Sequence, residues 1–293
     1  MVADEPGERF RPMRDVVRRL LRHRGAIAGL FVILLFFAAG LLAPSLSPYN
    51  PLAQNLDQRL QGPSRAHLLG TDDFGRDILS RVMHGARISL TVGFLSLGIA
   101  VAGGLLLGLV AGLYTAGRWG RVIDIVIMRT GDILLAFPAV LLAIAIVTAF
   151  GPGLRNAMLA IAVIYLPRFI RIVRASTLVE KEQIYVEAAQ ALGMSRRRLL
   201  FRHLLPNVMP PVIVQATLGL AEAIIEAAAL SFLGLGAMPP PPEWGAMLSE
   251  GRSYLRIAPW VTFFPGMAIF LIVVSFNLLG DGLRDALDPR LRR

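Results

Sequence analysis

Cysteine is absent from the 293 residues, so the chain has no disulfide, no thiolate metal site and no cysteine nucleophile. Lysine is almost absent. The single one, Lys181, follows Leu178-Val179-Glu180 and not a glycine-rich turn, which excludes a phosphate-binding loop of the Walker type. The chain is therefore not its own conventional ATPase. Histidine is scarce as well: His23, His67, His84 and His203 all fall outside the clean apolar runs, which leaves an intramembrane hydrolase without a base beside its nucleophile. With no cysteine and no histidine cluster, nothing favours a metal path through the chain. Charge is the last scarcity. Only 17% of the residues are charged while 55% are hydrophobic, outside the range of an ordinary soluble domain.

What fills the chain instead is long apolar runs. A bilayer core of roughly 30 Å takes about 20 apolar helical residues to cross. Residues 25–43, 88–117, 133–154 and 257–280 hold no charged side chain. Two further stretches are long enough but less clean: 156–173 ends among Arg168, Arg171 and Arg174, and 210–235 carries Glu222 and Glu226. The pattern predicts an all-α integral membrane protein with six transmembrane helices. The first run is longer than a signal core and no small-x-small cleavage site follows it, so it reads as an anchor.

The basic residues set the expected orientation. Of the 30, 22 fall before residue 25, around Arg118, between Arg168 and His203, or after Asp281, so these four segments and both termini are expected in the cytoplasm. This topology accounts for the net charge of +10 without a nucleic-acid partner. The expected division is a tail 1–24, a first transmembrane helix 25–43, an external segment 44–87, a five-helix core 88–280 with a cytoplasmic loop 174–207, and a tail 281–293.

Smaller features carry local expectations. Ile78, Leu79, Val82 and Met83 share a helical face, which predicts a short amphipathic helix on the outer surface. Asp72, Asp73 and Asp77 beside Thr71 read as helix caps and not as a cation site. Gly104, Gly108 and Gly112, four residues apart, predict a close approach of another backbone. Pro239 to Pro242 forbid helix, and 244–255 is expected to be a short interfacial helix with Trp244, Tyr254 and Trp260 as interfacial aromatics.

The most polar internal stretch is "EAAQALGMSRRRLLFRHLLPN", 187–207. A helix is predicted over 172–192, with Gly193 as its left-handed cap. Ser195 is placed to cap a second helix over 196–205, which Pro206 is expected to end. The result is a bent pair of helices suited to docking. Glu222 and Glu226, four apart on one helical face, are expected to face protein or water, either lining a pathway or pairing with a partner's polar groups.

Glu187-Ala188-Ala189, Gly193 and Leu205-Pro206 resemble the EAA loop of ATP-binding-cassette importer permeases, with His203 where the general pattern prefers isoleucine. "LGTDDFGRDILSRVMHGARISL", "DILLAFPAVLLA", "ALSFLGLG" and "FNLLGDGLRDALDPR" are similar to segments of the second permease subunit in the dipeptide, oligopeptide and nickel branch. The resemblance implies a type I ABC importer permease fold in a bacterial or archaeal cytoplasmic membrane. It also implies a second permease subunit, two ATPase subunits carrying ATP and Mg, and an extracytoplasmic solute-binding protein. Glu187, Ala188, Ala189, Gly193, Ser195, Leu205 and Pro206 would couple the spans to the ATPases. No cofactor is expected in this chain itself. Di- or oligopeptides are the implied substrate, with nickel complexes or oligosaccharides as alternatives; an ion-coupled secondary transporter using Glu222 and Glu226 is the rival class. Glu226 lies five residues before Ser231 where the family has four, so the resemblance carries no role onto it.

Overall fold

The computed structural model describes residues 13–114 and 117–287. Arg9, Arg11 and the tail beyond 287, on which part of the orientation argument rests, lie outside them. The regular structure of the described residues is helical, with one isolated β-bridge between Thr71 and Asp77. A short helix α1 (Met13–Leu20) precedes α2 (Arg24–Leu46), and α3 (Ile78–Leu113), α4 (Gly117–Ala136), α5 (Ala139–Phe150) and α6 (Leu154–Lys181) follow. Then come α7 (Ile184–Ala191), α8 (Arg196–Leu199), α9 (Leu205–Phe232), α10 (Trp244–Gly251) and α11 (Trp260–Leu287). Among the described residues, five helices are long and apolar enough to cross a membrane: α2, α3, α6, the run from residue 197 to the end of α9, and α11.

The sixth expected span is broken. Where the sequence predicts one run over 133–154, α4 and α5 meet at an angle of 99°. Pro138 sits at the break. Its ring removes a backbone donor and pushes the preceding Phe137 out of helical geometry, so an apolar run long enough to span is split near its start. The amphipathic surface helix is likewise not a separate element. Ile78 opens the 36-residue α3 and is fully buried, while the Asp77 carboxylate accepts from the Ser80 amide at 2.8 Å as the cap. At 1.5 Å per residue this helix is about 54 Å long, well beyond a bilayer core.

The glycine spacing in α3 does produce close packing. A Cβ on Gly108 would lie 2.6 Å from that of Val173, and one on Gly112 would lie 2.7 Å from that of Thr177. Gly104 faces Phe169 in the same register. Three glycines on α3 thus match three residues of α6, each set at four-residue steps, and the two helices share the largest interface in the bundle.

One end of the bundle is capped by 47–77, α10 and the prolines before it. Trp244, expected at a membrane interface, is instead fully buried: its indole N–H donates to the Val82 carbonyl at 3.0 Å and its ring meets Phe36 edge-on at 5.4 Å. Glu243, also buried, caps α10 through the Ala246 amide and accepts from the Ser89 hydroxyl. The Trp260 N–H reaches the Thr71 carbonyl at 3.2 Å.

The cap also contains an ion-pair network. Arg76 Nε donates to Asp72 Oδ2 at 2.6 Å, and the Nη2 atoms of Arg76 and Arg81 donate to Glu250 Oε2 at 2.8 and 2.9 Å. Arg81 Nε is 3.4 Å from Asp72 Oδ2. Asp72, Asp73 and Glu250 come close enough to suggest a cation site, but two guanidinium groups already stand among them. Asp77 caps a helix as expected; Asp72 and Asp73 do not. Asp72 accepts instead from the Phe74 and Arg76 amides of its own loop.

Candidate functional site

The opposite end of the bundle is a hairpin built from α7, α8 and the turn between them. It begins where α6 stops, at Lys181, so the helix expected over 172–192 is interrupted at Glu182 and Gln183. Gly193 has φ +76°, its amide donates to the Gln190 carbonyl at 2.9 Å, and the Met194 amide donates to that of Ala189 at 3.0 Å. These two bonds close a Schellman motif that ends α7. The Ser195 carbonyl then accepts from the Leu199 amide to begin α8.

Pro206 does not end the second helix. The chain passes through a π-helical turn at residues 200–204 directly into α9, with Pro206 in the first turn of α9. The Leu205 amide bonds back to Leu200, a five-residue step, so the backbone widens just where the proline cannot donate. The hairpin is therefore continuous with a span, the helical run extending from residue 197 to Phe232.

Its attachment to the rest of the molecule is small. Val186 and Ala189 of α7 pack with Leu199, Leu204 and the end of α3 at Leu113. Of the residues singled out by sequence, Ala189 is buried, Leu205 and Pro206 are half-buried, and Glu187, Ala188 and Ser195 are exposed. Two residues that the sequence pattern does not single out are more telling: Ile184 is 83% exposed and Leu192 is 85% exposed. Both are large apolar side chains held out on an otherwise polar hairpin. Lys181 donates to the Gly112 carbonyl at 3.3 Å, tying α6 to the end of α3.

A second set of residues lies within the spans. Arg168 Nη1 donates to Glu222 Oε2 at 2.6 Å, Arg171 Nη2 to Asp132 Oδ1 at 2.6 Å, and Arg174 grips both oxygens of Asp124 at 2.5 and 2.7 Å. Three arginines of α6 thus pair with acids of α4 and α9. Glu222 therefore has a basic partner within its own chain. Glu226, one turn further, has an oxygen shielded from solvent with no hydrogen-bond partner among the described residues. The Arg168 guanidinium also lies 5.4 Å from the centre of the Tyr165 ring. Arg168, Glu222, Arg171 and Asp132 remain 40% to 50% exposed in the isolated chain. Such exposure of charge on spanning helices calls for a protein or aqueous neighbour. The three-residue spacing of the arginines is visible in the sequence, whereas the partners of Arg171 and Arg174, Asp132 and Asp124, lie on α4, in the segment after Arg118 that the sequence marks only by its basic residues.

Residues 104–293 match the family model for the binding-protein-dependent transport system inner membrane component. The chain belongs to this family. Residues 11–63 also match the N-terminal transmembrane domain of oligopeptide transport permease C. The permease is 50% identical over 281 residues to the dipeptide transport system permease protein DppC of Alkalihalophilus pseudofirmus, covering 96% of this chain and 91% of that one. It is also 50% identical over 285 residues to the glutathione transport system permease protein GsiD of Pectobacterium atrosepticum, covering 96% and 92%. An inward-facing structure of the MetNI methionine ABC transporter superposes with a TM-score of 0.55 at 20% identity, covering 71% of this chain and 96% of that chain. The fold is that of type I ABC importer permeases, as the sequence led us to expect. The chain is a multi-pass permease component of a binding-protein-dependent transporter.

Proposed function

We propose that this permease forms half of the pathway of an ATP-driven importer of di- or oligopeptides, with the hairpin 182–204 in the cytoplasm as its contact with the ATPases. The named substrates of the relatives, dipeptides and glutathione, support the substrate class. In this reading the assembly contains a second permease subunit, two ATPase chains that hold ATP and Mg, and a solute-binding protein on the far side of the bilayer. Both termini lie in the cytoplasm. Hydrolysis takes place on the ATPase chains. The exposed Ile184 and Leu192 on a weakly attached hairpin are the observation that carries the docking role.

Within the spans, Glu222 and Glu226 face the pathway, and Arg168 holds Glu222. A peptide's ammonium and carboxylate groups are matched by this acid and base. The absence of native cysteine makes the test direct. Leu192→Cys should cross-link to a single cysteine placed in the ATPase groove of the assembled complex, and ATP-dependent uptake of a dipeptide into proteoliposomes should require that complex. Uptake without the ATPase chains would overturn the proposal.

A further inference from the structure

α7 is flanked by two joints at which the helix breaks. At its start, Glu182 and Gln183 interrupt the helix after α6; at its end, Gly193 takes a left-handed conformation in open space, with nothing within 4 Å of where a Cβ would stand. Between these joints, one side chain of α7 makes polar contact with the spans. The Tyr185 hydroxyl donates to Glu180 Oε2 in the last turn of α6 at 2.6 Å and accepts from Asn207 Nδ2 in the first turn of α9 at 2.8 Å. Among the described residues no other side-chain hydrogen bond of α7 is present. The Tyr185 ring also lies 6.4 Å from that of His203, in the π-helical turn.

The three groups form an oriented chain, amide to hydroxyl to carboxylate, in which each bond polarises the next. A bond to a charged acceptor is stronger than one between neutral groups. Partial burial, followed by the Glu180 carboxylate, raises the tyrosine pKa to about 12, so the hydroxyl keeps the proton it donates throughout the physiological range.

We propose that the Tyr185 hydroxyl is the joint that fixes α7 to α6 and α9 together, so that displacement of the hairpin by a partner moves both helices as one. The proposal rests on the reading that the hairpin docks on the ATPases. Tyr185 is then a positioning residue for coupling, and neither a docking residue nor a pathway residue. α6 and α9 carry the Arg168–Glu222 pair, so moving them in step keeps that pair intact.

The test uses the complete transporter in proteoliposomes and reads peptide imported per ATP hydrolysed. Tyr185→Phe keeps the ring and removes both bonds; the ratio should fall by about fivefold, the lower end of ordinary coupling energies, while assembly is retained. Glu180→Gln, which keeps an acceptor, should lose less than Glu180→Ala. An unchanged ratio in Tyr185→Phe would overturn the inference. If that variant fails to assemble, Glu180→Ala combined with Asn207→Ala breaks the same two bonds with the ring in place, and a wild-type ratio there overturns it equally. Ala188→Trp, on the exposed side of α7, separates the two readings. Should it leave the ratio untouched, the docking reading fails; should it uncouple while Tyr185→Phe does not, only the role of Tyr185 fails.

Discussion

At the capped end of the bundle Arg81 is 1% exposed and reaches two carboxylates, while at the hairpin end Leu192 is 85% exposed with no comparable partner. The capped end joins 47–77, α3, α10 and α11 through buried ion pairs, two indole N–H groups and the capped helix starts of Asp77 and Glu243. The hairpin end is held by four buried apolar residues and a tyrosine hydroxyl. One chain thus ends in a fixed block on one side and a lightly held arm on the other. Local opening free energies follow contact and burial, so motion is expected to concentrate in the arm.

The largest test of that contrast is Arg81→Ala. It strands Glu250 and Asp72 beside a single remaining guanidinium, and removing one partner of a buried pair costs about 3–5 kcal/mol. The variant should fail to accumulate or melt far below the parent in detergent. A melting temperature near that of the parent would show that the cap is not the fixed element. Gly193→Val comes next, since a left-handed conformation costs an ordinary residue roughly 1–2 kcal/mol. Open space around Gly193 means that the penalty falls on the turn and not on packing. The protein should accumulate normally while transport and stimulated ATP hydrolysis fall together. If both activities were wild-type, the bend would have no part in coupling.

Leu192→Ser probes the same arm without strain. Its side chain is outside any core, so stability should change by less than about 0.5 kcal/mol, while retention of the ATPase chains during purification should drop. Equal retention would remove Leu192 from the interface.

The smallest effect belongs to the cap and depends on pH. Burial, and then the neighbouring Asp72 charge, raises the Asp73 carboxyl above 3.8, so the folded state favours its protonated form. Its contribution to stability is complete below the ordinary value and is lost as pH rises through the raised one. Asp73→Asn should therefore melt slightly higher than the parent at pH 7, by about 2 °C or less. The difference should vanish as pH falls below 3.8. A destabilised variant at neutral pH would mean that the Asp73–Arg76 contact at 3.7 Å outweighs desolvation.

Much of this was legible from residues alone, for identifiable reasons. Apolar run length marks spans because a bilayer demands it, and α2, α3, α6, α9 and α11 all sit on such runs. The glycine ladder of α3 and the cap at Gly193 were equally readable, since few other residues fit those positions. What escaped depended on partners distant in sequence. Trp244 could not be told from an interfacial aromatic without Val82 and Phe36, which lie more than 150 residues away. Pro138 and Pro206 mark the opposite errors: one breaks an apparently clean run, and the other is absorbed by a π-helical turn that no local preference announces. At the hairpin, the EAA spacing identifies the segment, but it does not show that Tyr185 is its polar tie.

The contrast between a fixed cap and a moving arm is tested most directly by backbone hydrogen exchange on the assembled transporter, with and without a non-hydrolysable ATP analogue. The account predicts that protection changes in 182–207 while 47–77 and 244–251 exchange at the same rate in both states. A change confined to the capped end, with 182–207 unaltered, would contradict it.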